Sequence, residues 1–134
     1  MVKLSKIIDG ISFLIFNSVV PGSAIIGEMT KLAYGGIGVV IHSKASIGRK
    51  VIIGQNVTIG RKLSPDGVPV IGDDVYIGAG ARILGDIHIG NNVIIGANSV
   101  VLKDVPNDSI VAGNPAEIVK NVDKSIYELL ENIF

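Results

Sequence analysis

Aliphatic side chains fall six residues apart along the middle of this chain. They are Ile41, Ile47, Ile53 and Ile59, then, after one gap of twelve, Ile71, Ile77, Ile83, Ile89, Ile95 and Val101. Gly follows seven of these ten positions, at 48, 54, 60, 72, 78, 90 and 96. A second apolar set lies four residues after eight of them: Ala45, Val51, Val57, Val75, Ala81, Ile87, Val93 and Val105. Internal repetition of this kind decides the architecture before any local reading. In each hexapeptide the first and fifth residues point inward and the sixth points outward, because side chains alternate along a strand. Gly sits where the chain must turn tightly. Three hexapeptides make one triangular coil, and successive coils pair as parallel strands about 4.8 Å apart. No unit buries its apolar face alone, so several must stack and the ends must be closed. The expected fold is all-β, a single-stranded parallel β-helix. The period does not set its hand.

The ends follow another rhythm. Leu4, Ile7, Ile8, Ile11, Leu14 and Ile15 have helical spacing. A short helix is expected there, capping the column or packing on a partner subunit. Ser125 to Ile133 reads as a second helix, with Asp123 as N-cap and with Ile126, Leu129, Leu130 and Ile133 on one face against the column. The expected organisation is one domain: a helical cap at 1–17, the β-helix at 18–122 and a C-terminal helix at 123–134. Two breaks interrupt the repeat, at Lys31 to Gly38 and at Leu63 to Val70. In the second, Pro65 takes an inward slot, so the coil opens there. A loop leaving a rigid scaffold is either a tolerated insertion or a place for substrate contacts. The run Tyr34-Gly35-Gly36-Ile37-Gly38 lacks the Gly-Lys-Ser/Thr of a phosphate-binding loop.

Composition narrows the function. Twelve basic and twelve acidic residues give a formal net charge of zero, which disfavours nucleic-acid binding. There is no Cys, hence no disulfide and no thiolate chemistry, which suits a reducing, cytoplasmic setting. Ile11 to Phe16 is apolar, but Asp9 and Gly10 interrupt the run. It falls well short of the ~20 residues that span a bilayer, so no stable membrane insertion is expected.

Three stretches carry a family resemblance. They are Val70-Ile71-Gly72-Asp73-Asp74-Val75-Tyr76-Ile77-Gly78-Ala79-Gly80-Ala81, Ile95-Gly96-Ala97-Asn98-Ser99-Val100-Val101-Leu102-Lys103-Asp104-Val105-Pro106 and Val111-Ala112-Gly113-Asn114-Pro115-Ala116. The chain resembles the hexapeptide-repeat acyltransferases, in particular serine acetyltransferases and sugar O-acetyltransferases. The resemblance implies a left-handed β-helix, a homotrimer, and acetyl-CoA in the groove between neighbouring prisms, with no metal. It implies contacts to the pantetheine arm from Ala79, Ala97, Leu102 and Lys103, and contact of Lys120 with the CoA phosphates. Lys103 and Lys120 also read as solvated charges, and the two alanines as plain corner residues.

Acetyl transfer to a hydroxyl needs a base and donors for the oxyanion. Imidazole suits the task because its free pKa, about 6.5, keeps the neutral ring populated at pH 7. The sequence offers two histidines. His42 replaces Gly at a coil corner, just after the Gly-rich break, and matches a His in similar chains. It is the candidate catalytic base; the alternative is a solvated corner residue. His88 holds an outward position and reads as surface or interface. The Asp-His step of serine acetyltransferases aligns near Tyr34-Gly35, and their second active-site His near Val68. A small hydroxyl acceptor is therefore expected, with a sugar of a surface-polysaccharide precursor preferred to serine. A non-catalytic binding scaffold is a further alternative.

Overall fold

A computed structural model describes residues 4–63 and 66–131. The chain visits three sheets in strict rotation. The first turn is β1 (Ile25–Ile26), β2 (Lys31–Leu32) and β3 (Val40–Ile41). The second is β4 (Ser46–Ile47), β5 (Ile52–Ile53) and β6 (Thr58–Gly60). The third is β7 (Val70–Ile71), β8 (Val75–Ile77) and β9 (Arg82–Leu84). The fourth is β10 (His88–Ile89), β11 (Val93–Ile95) and β12 (Val100–Val101). Like strands stack in parallel, giving the orders β1-β4-β7-β10, β2-β5-β8-β11 and β3-β6-β9-β12. Then β13 (Ser109–Gly113) joins β11 in parallel, and β14 (Ala116–Asn121) folds back antiparallel on β13.

The register puts Ile on Ile. Ile53, Ile77 and Ile95 are successive partners, as are Ile59 and Ile83. Every residue of both inward sets is buried, most with no exposed surface. The six-residue rhythm is thus a core pattern, as expected.

The corners explain the polar residues between the strands. Asn56, Asp74, Asn92, Asn98 and Asp108 all have φ between 54° and 58°. Short amide and carboxylate side chains tolerate this left-handed conformation better than most. Beside them runs a ladder in which one coil's side chain serves the backbone of another. Arg49 N–H donates to Asp73 Oδ1 at 2.8 Å, Asp73 N–H to Asn91 Oδ1 at 2.8 Å, and Asn91 N–H to Asn107 Oδ1 at 2.7 Å. Gly72 leaves room for this ladder, since a Cβ there would collide with Asn91 Oδ1.

The ends differ from expectation in detail. Helix α1 (Leu4–Phe16) forms, and Gly10 does not break it. None of its residues is buried, so in the single chain it is no buried lid. Its aliphatic face lies open, with Leu4, Ile7, Ile8, Ile11, Leu14 and Ile15 between 49% and 82% exposed. Its C-terminus is tied down where Gly38 N–H donates to the Phe16 carbonyl at 3.0 Å. Helix α2 (Ile126–Leu130) is capped by Ser125, whose hydroxyl accepts from Tyr127 N–H, and not by Asp123. Asn92 reaches across from its corner and accepts from Ile126 N–H at 2.8 Å. That second acceptor is invisible in sequence because it lies 34 residues away. Ile126 and Leu130 are buried, as expected of the packed face; Ile133 and Pro65 lie outside the described residues. Among the described residues, no helix is long and apolar enough to cross a membrane.

Candidate active site

Two corners of the column carry the candidate residues. Ala79 follows β8 and Ala97 follows β11, so both stand where the chain enters the β3-β6-β9-β12 sheet. They stack closely. A Cβ on Gly78 would lie 2.5 Å from the Ala97 nitrogen, and one on Gly54 would lie 2.7 Å from the Ala79 nitrogen. Gly is required at both places because the next coil's backbone occupies the side-chain space. Asn98 N–H donates to the Ala79 carbonyl at 2.8 Å. Among the described residues, the N–H groups of Ala79 and Ala97 have no partner within the chain. A half-exposed corner bearing unused N–H donors can bind the amide carbonyls of an extended ligand.

His42 stands at the opposite edge of that sheet, where the chain leaves it after β3. Its corner column continues through Gly60, Leu84 and Leu102, and its own N–H donates to the Ile59 carbonyl at 2.8 Å. The ring is half-buried, and Nδ1 accepts from Lys44 N–H at 3.2 Å. A neutral ring held this way carries its proton on Nε2. It presents a donor outward, whereas base action at Nε2 needs the other tautomer. The Lys44 contact is long and exposed, a weak hold on the ring.

Leu102 stands on the His42 corner three coils further along, roughly 14 Å away at one strand spacing per coil. Lys103 is exposed and pairs with Glu117 at 2.6 Å, so a carboxylate already faces its charge. Lys120 lies exposed on β14, opposite Ile110. His88 is exposed beside Asp104, whose carboxylate accepts its backbone N–H at 2.9 Å. The structure therefore joins Ala79 to Ala97 and aligns His42 with Leu102. It leaves these two groups on separate edges of one sheet.

A cavity of about 530 Å³ adjoins the Ala79 corner, walled by Lys31, Tyr34, Ile52, Gln55 and Tyr76. Sequence reading did not assemble these residues. Gln55 follows Gly54 in the same slot as Ala79 and Ala97, and Ile52 and Tyr76 share the outward position. That spacing was the available signal. Tyr34 comes from the 3-10 turn Ala33–Gly36, which the repeat does not describe.

Comparison with known proteins bears on this geometry. Residues 69–103 match the family described as bacterial transferase hexapeptide (six repeats). No curated protein sequence matches the chain. Among solved structures, the serine acetyltransferase of Brucella abortus strain S19 in complex with coenzyme A superposes with TM-score 0.82 at 36% identity, over 86% of this chain and 47% of that one. Neisseria gonorrhoeae serine acetyltransferase gives 0.79 at 34% identity, over 94% and 49%. Soybean serine acetyltransferase complexed with serine gives 0.77 at 41% identity, over 83% and 46%. The chain thus spans about half the length of the proteins it matches. The repeat match and these shared folds together make the chain similar to the hexapeptide-repeat acyltransferases over most of its length.

Proposed function

We propose that the chain is an acetyl-CoA-dependent O-acetyltransferase. The observation that carries this reading is its likeness, over most of its length, to serine acetyltransferases, one of them solved with coenzyme A. The column is read as left-handed and closed, and the protein as a cytoplasmic homotrimer. The separation of the two corners supports the trimer. Ala79 and Ala97 flank one edge of a sheet and His42 the other. A neighbouring column would bring its own His42 edge against this chain's Ala79–Ala97 edge and complete a site between them.

In that cleft the N–H groups of Ala79 and Ala97 hold the carbonyls of the pantetheine arm. Leu102 and Lys103, on the His42 edge of the neighbouring column, lie alongside the arm, and Lys120 meets the phosphates. The acceptor hydroxyl gives its proton to His42 Nε2. This requires the ring to leave Lys44 N–H and place its own proton on Nδ1. The acceptor oxygen then attacks the acetyl carbonyl, backbone N–H groups stabilise the oxyanion, and the CoA thiolate departs and takes a proton. Transfer is direct, without an acetyl-enzyme.

Serine is the acceptor that the solved relatives favour. A sugar hydroxyl is the second reading, supported by Tyr34 and Gly35, which offer neither the carboxylate nor the imidazole that aligns there. Release of free thiol from acetyl-CoA, with serine and with a panel of nucleotide-linked sugars, tests the transfer and separates the acceptors. His42→Ala should lower kcat by roughly 10²- to 10⁴-fold, the scale of losing a general base. Full activity in that variant would move the base elsewhere, and no thiol release with any acceptor would refute the transferase.

A further inference from the structure

The cavity beside Ala79 is far roomier than a hydroxyl amino acid fills. Its volume of about 530 Å³ falls within the range of about 300–1,000 Å³ typical of pockets that bury drug-sized ligands. Its walls are mainly apolar, with two phenol rings, Tyr34 and Tyr76, and the polar ends of Lys31 and Gln55. Tyr34 is the unusual member. It is 73% exposed, yet it sits at φ 52°, a conformation a bulky residue keeps only where its surroundings impose it. The surroundings do so here. Val39 N–H closes on the Gly36 carbonyl at 3.0 Å, Asn56 N–H on the Ile37 carbonyl at 2.9 Å, and Gly38 N–H on the Phe16 carbonyl at 3.0 Å. The turn is pinned on three sides and holds an aromatic ring at the mouth of an apolar hollow.

We infer that this cavity binds a pyranose ring. A sugar has an apolar face of C–H groups, which packs against aromatic rings, and a rim of hydroxyls, which takes ammonium and amide partners. Tyr34 and Tyr76 supply the first, and Lys31 and Gln55 the second. Free serine has no such face and would leave both rings in water. Under the sugar-acceptor reading of the transfer above, on which this consequence rests, the bound ring is the acceptor. It lies next to Ala79, on the edge that a neighbour's His42 must meet.

The chain contains no Trp, so Tyr34→Trp places a single indole at the site. Methyl glycosides and UDP-N-acetylglucosamine should shift or quench its emission without acetyl-CoA present, and serine should not. Calorimetry on the unmodified protein should show glycoside binding. Tyr34→Ala should weaken that binding roughly tenfold, the scale of one lost stacking contact, with Tyr34→Phe close to wild type and acetyl-CoA affinity unchanged in both. The inference is overturned if no glycoside binds the unmodified protein, or if Tyr34→Ala binds glycosides as well as wild type does. Glycoside binding with no acetyl transfer to any acceptor would end the transferase reading and leave the cavity assignment intact. Transfer to serine with no glycoside binding would do the reverse.

Discussion

Ile77 has no exposed surface and stacks between Ile53 and Ile95. Truncating it to Ala leaves a hole that rigid strands above and below cannot fill, so the cost should be about 2–5 kcal/mol. Urea unfolding of Ile77→Ala would measure it, and a loss well under 1 kcal/mol would mean the column can collapse locally. This part of the molecule was legible residue by residue, because inward positions recur every six residues and the core needs nothing else. His42 was legible only halfway. Its place at a corner follows from Ile41 occupying an inward slot. The state of its ring does not, since that depends on Lys44 N–H turning back two residues later to engage Nδ1. Tyr34 was less legible still, because a left-handed Tyr in a 3-10 turn leaves no mark on a periodic pattern.

Among the elements, α2 shows how a short helix is held on a repeat. Five residues cannot sustain a helix alone. Ser125 and Asn92 satisfy its first N–H groups, and the Tyr127 hydroxyl donates to the Lys50 carbonyl. Burial, followed by the nearby Asp74 carboxylate, pushes the Tyr127 phenol up to about 12 from its usual 10.0. The phenol is therefore harder to ionise in the folded protein than in the unfolded chain. Its contribution to stability is complete below pH 10 and is lost as pH rises through about 12. The stability difference between wild type and Tyr127→Phe should accordingly shrink across that interval. A constant difference would show that the hydroxyl titrates as freely as in the unfolded chain. The sequence announced the helix but misplaced its cap, because Asp123 and Ser125 are equally good acceptors by type and only the path of the chain after Val122 selects between them.

For the whole molecule, the open question posed by the single chain is α1. A helix that exposes six aliphatic residues along one face needs a partner surface. Lys6 and Asp9 are the charged residues on its described length, so it lacks the basic face that anionic membranes attract. In the trimer proposed above, a neighbouring copy would supply that surface. Sedimentation should show three chains together, and the double variant Ile11→Glu with Leu14→Glu should weaken that assembly about tenfold or more. An undisturbed trimer would free α1 from this role. The two ends of the column are also unlike in another respect. At the far end β14 runs opposite to every strand below it and occupies the outer rim of its sheet. In that sheet a second column arriving there would meet a strand of the wrong polarity and could not continue the parallel pairing. Exposed strand edges are templates for fibres, and this reversal withdraws one of the column's three sheets from such end-to-end growth.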